Sequence, residues 1–527
     1  MTGQTVSAVH TALANFGSVD EATREAAYQL VVAVNTTYTV ISRLYAHIPG
    51  SQILYRYIKA SYQDDPFRML LEAGLVIFMV WYFVAKRYQP GQQTEVKLTE
   101  KEIQELIDEW EPEPLVPELT KFQAEELAKT HVLSSAAGLK VKSADGKERL
   151  NCASFNFLGV MNSEAVKDKA ILALRKYGVG SCGPPGFYGT IDVHIQLEEE
   201  ISRFVNSEAA IIYSQGFACI SSCIPAFSKR GDIIIADDAV SFGIQKGLQI
   251  SRSQIKWFKH NDMADLERVL FKVQEDCAKK PLTRRFIVVE GLYVNLGDIC
   301  PLPELVALKN KYKYRLIVEE SMSFGVLGSR GAGVADHFGI PRGEIDIMVA
   351  SMSNALASSG GFCAGSKEIV EHQRLSGLSY TFSASLPAVL AVGALESLRI
   401  LETRPETLLT LAENASAIKS KLRKIGSGVV LNISSSPESP VIHLQLRSGS
   451  SREEDDRILQ EIVDQSLKDG VLTTRSKYVF NQEHNPPPPS IRIVASAGFT
   501  IRESERCGTV ICDAARRVLK QYRLDSR

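Results

Sequence analysis

The sequence predicts an α/β protein: a mainly parallel sheet with flanking helices over residues 151–387, a smaller α+β domain over 388–527, and an N-terminal membrane anchor. Three observations carry this. Uninterrupted apolar runs bounded by charges, AAIIYS (209–214), DIIIAD (232–237), RFIVVEG (285–291), YRLIVEES (314–321) and DIMVAS (346–351), alternate with stretches of helical periodicity such as ADLERVLFKVQEDCAKK. Strands buried on both faces and separated by helices make a parallel sheet, because parallel neighbours need a crossover long enough to hold a helix. After Pro387 a long helical stretch gives way to strands, SPVIHLQLR and SIRIVASA, mixed with helices, which marks a second and smaller domain. Upstream, residues 73–85 carry no charge, hold Trp81 and Tyr82 near one end, and stop at Lys86 and Arg87.

Aromatics beside a basic stop are the flanks of a membrane segment, although a full span takes about 20 mostly apolar residues. Residues 69–88 are therefore expected as a transmembrane anchor, with a buried core helix as the alternative for so short a run, and 1–68 as a lumenal or membrane-associated lead. With Lys86 and Arg87 on the cytosolic side, the bulk of the chain is cytosolic. The sequon at Asn35 then lies across the membrane, and those at Asn414 and Asn432 do not. Residues 89–150 read as an amphipathic helix, a proline-rich linker and a lead-in. Ile103, Leu106, Ile107 and Trp110 keep helical spacing, and Pro112, Pro114 and Pro117 end that helix.

Composition excludes some classes of function. Lys and Arg total 60 against 61 Asp and Glu, a net charge of -1, so no long-range field favours nucleic acid. The 9 cysteines are scattered, without a CxxC pair or a His/Cys spacing suited to zinc, so no metal site is expected and the compartment is reducing. No basic, apolar and small-residue succession marks a cleaved signal peptide.

In an open parallel sheet, ligands sit beyond the carboxyl ends of the strands. The first such end, YSQGF (213–217), is a small-residue turn leading into a helix, where backbone N–H groups suit a phosphate. Longer strings follow in order: ASFNFLG (153–159), YGVGSCGPPGFYGT (177–190), FKHNDMADLE (258–267), VVEGLY (288–293), VEESMSFGVLG (318–328) and SMSNALASSGGFCAG (351–365). Together they resemble the α-oxoamine synthase family of fold-type-I pyridoxal-phosphate enzymes, from about residue 151 to the C-terminus. The resemblance implies a fold-type-I transferase large domain. Within the family it points to the branch that condenses L-serine with palmitoyl-CoA, releasing carbon dioxide and CoA to give 3-ketodihydrosphingosine. A lipid product suits an endoplasmic reticulum membrane.

The departures from the family pattern bear on function. Where active members carry the lysine that forms an imine with the cofactor aldehyde, this chain has Asn354, whose amide nitrogen is not nucleophilic. Glu319 stands for the aspartate that pairs with the pyridinium nitrogen, Met322 for a nearby histidine, Ser241 for the histidine that stacks on the ring, and Ile220 for an asparagine. Phe499 replaces a further histidine, and Arg492 matches the arginine for the substrate carboxylate. No residue of this chain is then expected to be catalytic, and pyridoxal 5'-phosphate would be held covalently by a lysine-bearing partner subunit. In this family each site is lined by both protomers. Tyr177, Gly178, Gly180, Ser181, Cys182, Gly183, Phe187 and Tyr188 in the glycine-dense loop, with Ser383 and Ser385 in FSASLP (382–387), are the candidates to complete the partner's site. Cys182 reads as a packing residue. Small regulatory membrane subunits are further possible partners. Two alternatives stay open: a scaffold that contributes no atom to the working site, and a homodimeric enzyme using another lysine such as Lys246.

Overall fold

The computed structural model describes residues 49–64, 66–85, 98–112, 114–116, 118–279, 281–425, 429–432, 438–446 and 451–522, besides the single positions 29, 36, 37 and 40. Contacts divide the chain into two compact units, Met1–Pro117 and Glu118–Arg527.

The first unit contains helices Ser51–Asp64, Pro66–Val84 and Glu100–Glu109. The apolar side chains of the second helix from Leu70 to Val84 are 52% to 76% exposed on every side. Among the described residues no helix is long and apolar enough to cross a membrane. The helix at the place of the expected span over 69–88 runs Pro66–Val84, with Glu72 inside it. The uncharged part, residues 73–84, measures roughly 18 Å at 1.5 Å per residue, against about 30 Å of hydrocarbon. Lys86, Arg87 and Asn35 lie outside the described residues. The amphipathic helix does form. Thr99 caps it reciprocally with Glu102, at 2.7 Å and 3.3 Å, and Ile103, Leu106 and Ile107 stand exposed along one stripe.

In the second unit, seven strands form one sheet in the order β3-β9-β8-β7-β6-β4-β5. These are β3 (Ala209–Tyr213), β4 (Ile233–Asp237), β5 (Gln254–Phe258), β6 (Arg285–Glu290), β7 (Arg315–Glu319), β8 (Ile347–Ser351) and β9 (Gly361–Gly365). All run parallel except β9, which pairs antiparallel with both β3 and β8. The apolar runs predict five of these strands. The edge strand β5 escapes because only its last residue is buried, and β9 because GFCAG is built of small side chains. That smallness has a reason: a Cβ at Gly361 would sit 2.9 Å from both the Ala350 carbonyl and Cys219, so helix Gly216–Phe227 can lie close on β8 and β9.

The smaller sheet runs β10-β11-β14-β13 and is antiparallel throughout, with β10 (Val429–Asn432), β11 (Val441–Leu446), β13 (Thr474–Arg475) and β14 (Ser490–Val494). Helix Ile501–Gln521 packs on helices Glu406–Leu422 and Arg452–Lys468, burying Cys507, Ile511, Ala514, Ala515 and Val518. A third sheet joins distant parts of the chain. β1 (Lys140–Lys142) pairs with β2 (Glu148–Asn151), and β2 lies parallel to β12 (Val471–Leu472). The Leu150 and Cys152 N–H groups reach the Gly470 and Leu472 carbonyls at 3.0 Å and 2.9 Å. The boundary expected at 150/151 thus falls within a sheet shared with the C-terminal part of the chain.

Candidate functional site

Strand register sets the centre of the site. β6 and β7 end side by side, pairing Glu290 with Glu319, and β8 ends next to them at Ser351. Both glutamates are buried. Glu290 accepts hydrogen bonds from the Ser241 N–H and, at 3.0 Å, the Val294 N–H. Glu319 accepts from the Ser321 N–H at 3.0 Å and from the Ser321 hydroxyl. Burial, and then the neighbouring Glu290 carboxylate, push Glu319 up to about 8. Burial likewise raises Glu290 to about 7. Two carboxylates this close and this dry do not both ionise readily. The acid that stands for the family's pyridinium partner is thus biased toward its protonated form, and Ser321 engages one of its oxygens.

Asn354 follows β8 and is 8% exposed. Its amide donates to the Ser321 carbonyl at 2.9 Å and touches the Met322 sulfur at 3.7 Å, while its oxygen accepts from Ser353 at 3.2 Å. Met322 is itself buried. Ser241 spends its backbone N–H on Glu290 and begins helix Phe242–Ser251 without a side-chain cap. Ile220 is buried and would lie 3.1 Å from a Cβ at Gly243. Asn354 touches Met322, Ser241 serves Glu290 and Ile220 lies beside Gly243; none of them offers an amine or an imidazole, so these positions do not fit covalently held pyridoxal phosphate. Lys246 is engaged on its own helix. Its ammonium donates to Gln249 at 3.1 Å on the exposed side of its helix and sits over the Phe242 ring.

The second group of candidates forms a separate constellation. The glycine-dense loop and the FSASLP segment touch: Ser181 donates to the Ser385 carbonyl at 2.9 Å, and the Ser385 N–H reaches the Gly183 carbonyl at 2.9 Å. Ser383 bonds Ser214, after β3, at 3.1 Å, and the Tyr177 hydroxyl donates to Asp192 at 2.7 Å. The Ser385 hydroxyl is buried without a partner. Close backbone approach is real at Gly189, where a Cβ would lie 2.0 Å from the Gly183 carbonyl and 2.5 Å from the Ser385 hydroxyl. Gly178, Gly180 and Gly186 face open space instead. Phe187, Tyr188 and Phe382 are 64%, 102% and 78% exposed, and Tyr188 holds a left-handed φ of 67°. Cys182 is exposed in this chain, with a left-handed φ of 57°.

Arg492 on β14 forms no ion pair among the described residues. Its guanidinium lies 4.4 Å over the Phe155 ring, reaches the Ala153 carbonyl at 3.4 Å, and leaves Nε buried without a partner. Burial lowers its basicity. Phe499 is buried nearby in sequence.

One network is absent from the sequence reading. His260 donates to Asp237 at 2.9 Å and Asp298 at 2.7 Å, joining the ends of β4 and β5 to the loop after β6. Burial alone would lower its pKa, but the hydrogen bonds to both carboxylates outweigh this and hold it at about 10. The string FKHND contains the signal, a histidine and an aspartate past a strand end, yet Asp298 is remote in sequence.

Residues 154–511 match the family described as aminotransferase class I and II. The chain is 45% identical over 434 residues to serine palmitoyltransferase 1 of Dictyostelium discoideum, covering 81% of this chain and 89% of that one. It is 43% identical to long chain base biosynthesis protein 1 of Arabidopsis thaliana, covering 82% and 87% of the two chains. Among solved structures it resembles a serine palmitoyltransferase of S. paucimobilis with a bound PLP–myriocin aldimine, at TM-score 0.68 and 25% identity, covering 75% of this chain and 96% of that one.

Proposed function

The chain belongs to the aminotransferase class I and II family, in the group of serine palmitoyltransferase 1 and long chain base biosynthesis protein 1, and from that premise we propose that it is the subunit of serine palmitoyltransferase without a Schiff-base lysine. The complex condenses L-serine with palmitoyl-CoA to 3-ketodihydrosphingosine, and the partner subunit holds pyridoxal phosphate on its own lysine. This chain completes the partner's site with its loop 177–190 and segment 382–387. The observation that carries this reading is Asn354: a buried amide, fully engaged, stands where the family needs an amine. The exposed Phe187, Tyr188 and Phe382 support the second half, because large aromatics left in solvent mark a surface that another chain covers.

The test is direct. Expressed alone, the chain shows no aldimine absorbance and borohydride fixes pyridoxal phosphate to no unique lysine. Co-expressed with a lysine-bearing relative, it yields an absorbing and active complex. Unique labelling of a lysine in the lone chain sinks the proposal. A scaffold-only role is the rival. Substitutions of Tyr188 that keep the complex intact but abolish turnover decide against it.

We place the complex at the endoplasmic reticulum membrane, held through the apolar helix Pro66–Val84 and its flanks, with the main body cytosolic. The exposure of its apolar side chains supports this. Flotation of the full chain with microsomes, lost on deletion of residues 66–88, tests the assignment.

A further inference from the structure

The opposite end of the large sheet carries a feature that the condensation does not use. Where β6 opens with Arg285, β7 with Arg315 and β8 with Ile347, there is a cleft of about 850 Å³. Five strand steps along β6 and four along β7, at about 3.3 Å each, put it roughly 13–16 Å from Glu290 and Glu319. Arg284, Arg285, Lys311, Lys313 and Arg315 line it, against the single carboxylate of Glu368. Neighbouring acids cancel part of this charge. Lys311 pairs with Glu267, and Arg315 lies 3.6 Å from Asp346, which also holds Lys309 at 3.0 Å. The Arg284 guanidinium donates to the Phe227 carbonyl at 2.8 Å while its backbone N–H donates to Asp232 at 3.1 Å, and the Arg285 Nε is buried without a partner. Lys313 sits at the left-handed end of helix Leu302–Tyr312 and is exposed. In a chain whose net charge is -1, this concentration of cations is local.

The walls are partly aromatic. The Phe227 ring lies 5.0 Å from that of His372, and Tyr312 borders the same space. Guanidinium forks match phosphate oxygens in pairs, and cations near flat rings suit a charged ligand with a planar part. The volume falls within the range of about 300–1,000 Å³ typical of small-molecule sites. A concave site of this size argues against a membrane surface, and the paired rings have no use for an acidic peptide. We propose that this cleft binds a polyphosphorylated small molecule of nucleotide size, its phosphates on Arg284, Arg285, Lys313 and Arg315 and its ring against Phe227, His372 and Tyr312.

The experiment uses the complex of this chain with its partner and titrates ADP by calorimetry, with inorganic pyrophosphate as competitor. ADP is expected to bind and pyrophosphate to displace it. The double variant Arg284→Glu, Lys313→Glu changes two exposed side chains, and unchanged thermal unfolding verifies its fold. It should weaken ADP by about tenfold or more, the scale of losing charge-assisted bonds. His372→Ala should weaken ADP and leave pyrophosphate unchanged. An ADP affinity equal in wild type and double variant overturns the proposal, as does no binding of either phosphate compound. So does binding of a polyglutamate peptide, or of phosphatidylserine vesicles, that ADP fails to displace.

Discussion

Asn354 and Tyr188 both belong to strings that mark the family, and the structure treats them in opposite ways. Around Asn354 every replaced residue has found a neighbour within the chain: the amide holds the Ser321 carbonyl, Met322 lies against it, and Ser241 and Ser321 serve the two glutamates. Around Tyr188 the chain leaves its work unfinished, with three aromatics in solvent and the Ser385 hydroxyl buried but unpaired. On the proposed reading, a centre relieved of the chemistry is free to pack for stability. A surface that still serves another chain is not, because apolar exposure there costs free energy that only assembly recovers.

The largest expected effect comes from closing the gap at Gly189. Gly189→Ala forces its Cβ into the Gly183 carbonyl and shifts the loop, and displacements of about 1 Å near a reacting centre cost roughly a hundredfold in rate. Gly186→Ala, with open space around it, should leave turnover of the complex nearly unchanged. Serine-dependent CoA release measures both, and equal rates for the two variants would break the comparison.

Glu319 gives the next effect, on stability. Its folded pKa of about 8 exceeds the ordinary 4.5, so the folded chain keeps a proton that the unfolded chain releases between those values. This contribution is full below about 4.5 and is lost as pH rises through about 8. Glu290, raised to about 7, acts in the same direction. Glu319→Gln should therefore flatten the fall in melting temperature across this window and gain most, relative to wild type, above pH 8. An identical pH profile for the variant would show the carboxylate to be solvated.

Asn354→Ala is expected to cost about 1–3 kcal/mol, since the Ser321 carbonyl loses its donor inside the fold. Asn354→Lys should restore neither aldimine absorbance nor turnover, because Met322, Ser241 and Ile220 still stand in place of the family's residues. The smallest effect is chemical. Cys182 is exposed while the other cysteines are buried or half-buried, so maleimide should label it first in the lone chain and far more slowly in the complex. Equal labelling would place the loop away from the partner. Asn414 offers no check on topology: it is 1% exposed and donates to the Ser496 and Phe499 carbonyls at 2.9 Å and 2.8 Å, so the folded chain hides it on either side of a membrane.

Strands with large β-branched cores, such as DIIIAD and RFIVVEG, are legible because burial on both faces writes itself as an apolar run. The reversed strand β9 is not, since its fitness lies in having little side chain at all. The replaced positions could be named one by one from their strings, but not the way Ser321 gathers Glu319, Ser351 and Asn354 through separate atoms. Arg492 shows a similar limit. Its place on a strand is readable, whereas its stacking on Phe155 without an acid depends on chain 337 positions away, near Ala153.

The pairing of β2 with β12 has a consequence for biosynthesis. During translation the segment 140–151 leaves the ribosome long before Val471 and Leu472 exist, so its outer hydrogen bonds must wait for nearly the whole chain to be made. Contacts of such long sequence separation form late, and an unpaired strand edge invites association in the meantime. The lead-in that follows the apolar helix is thus secured by almost the last strand synthesised. A nascent chain halted before residue 471 would display an open edge at β2.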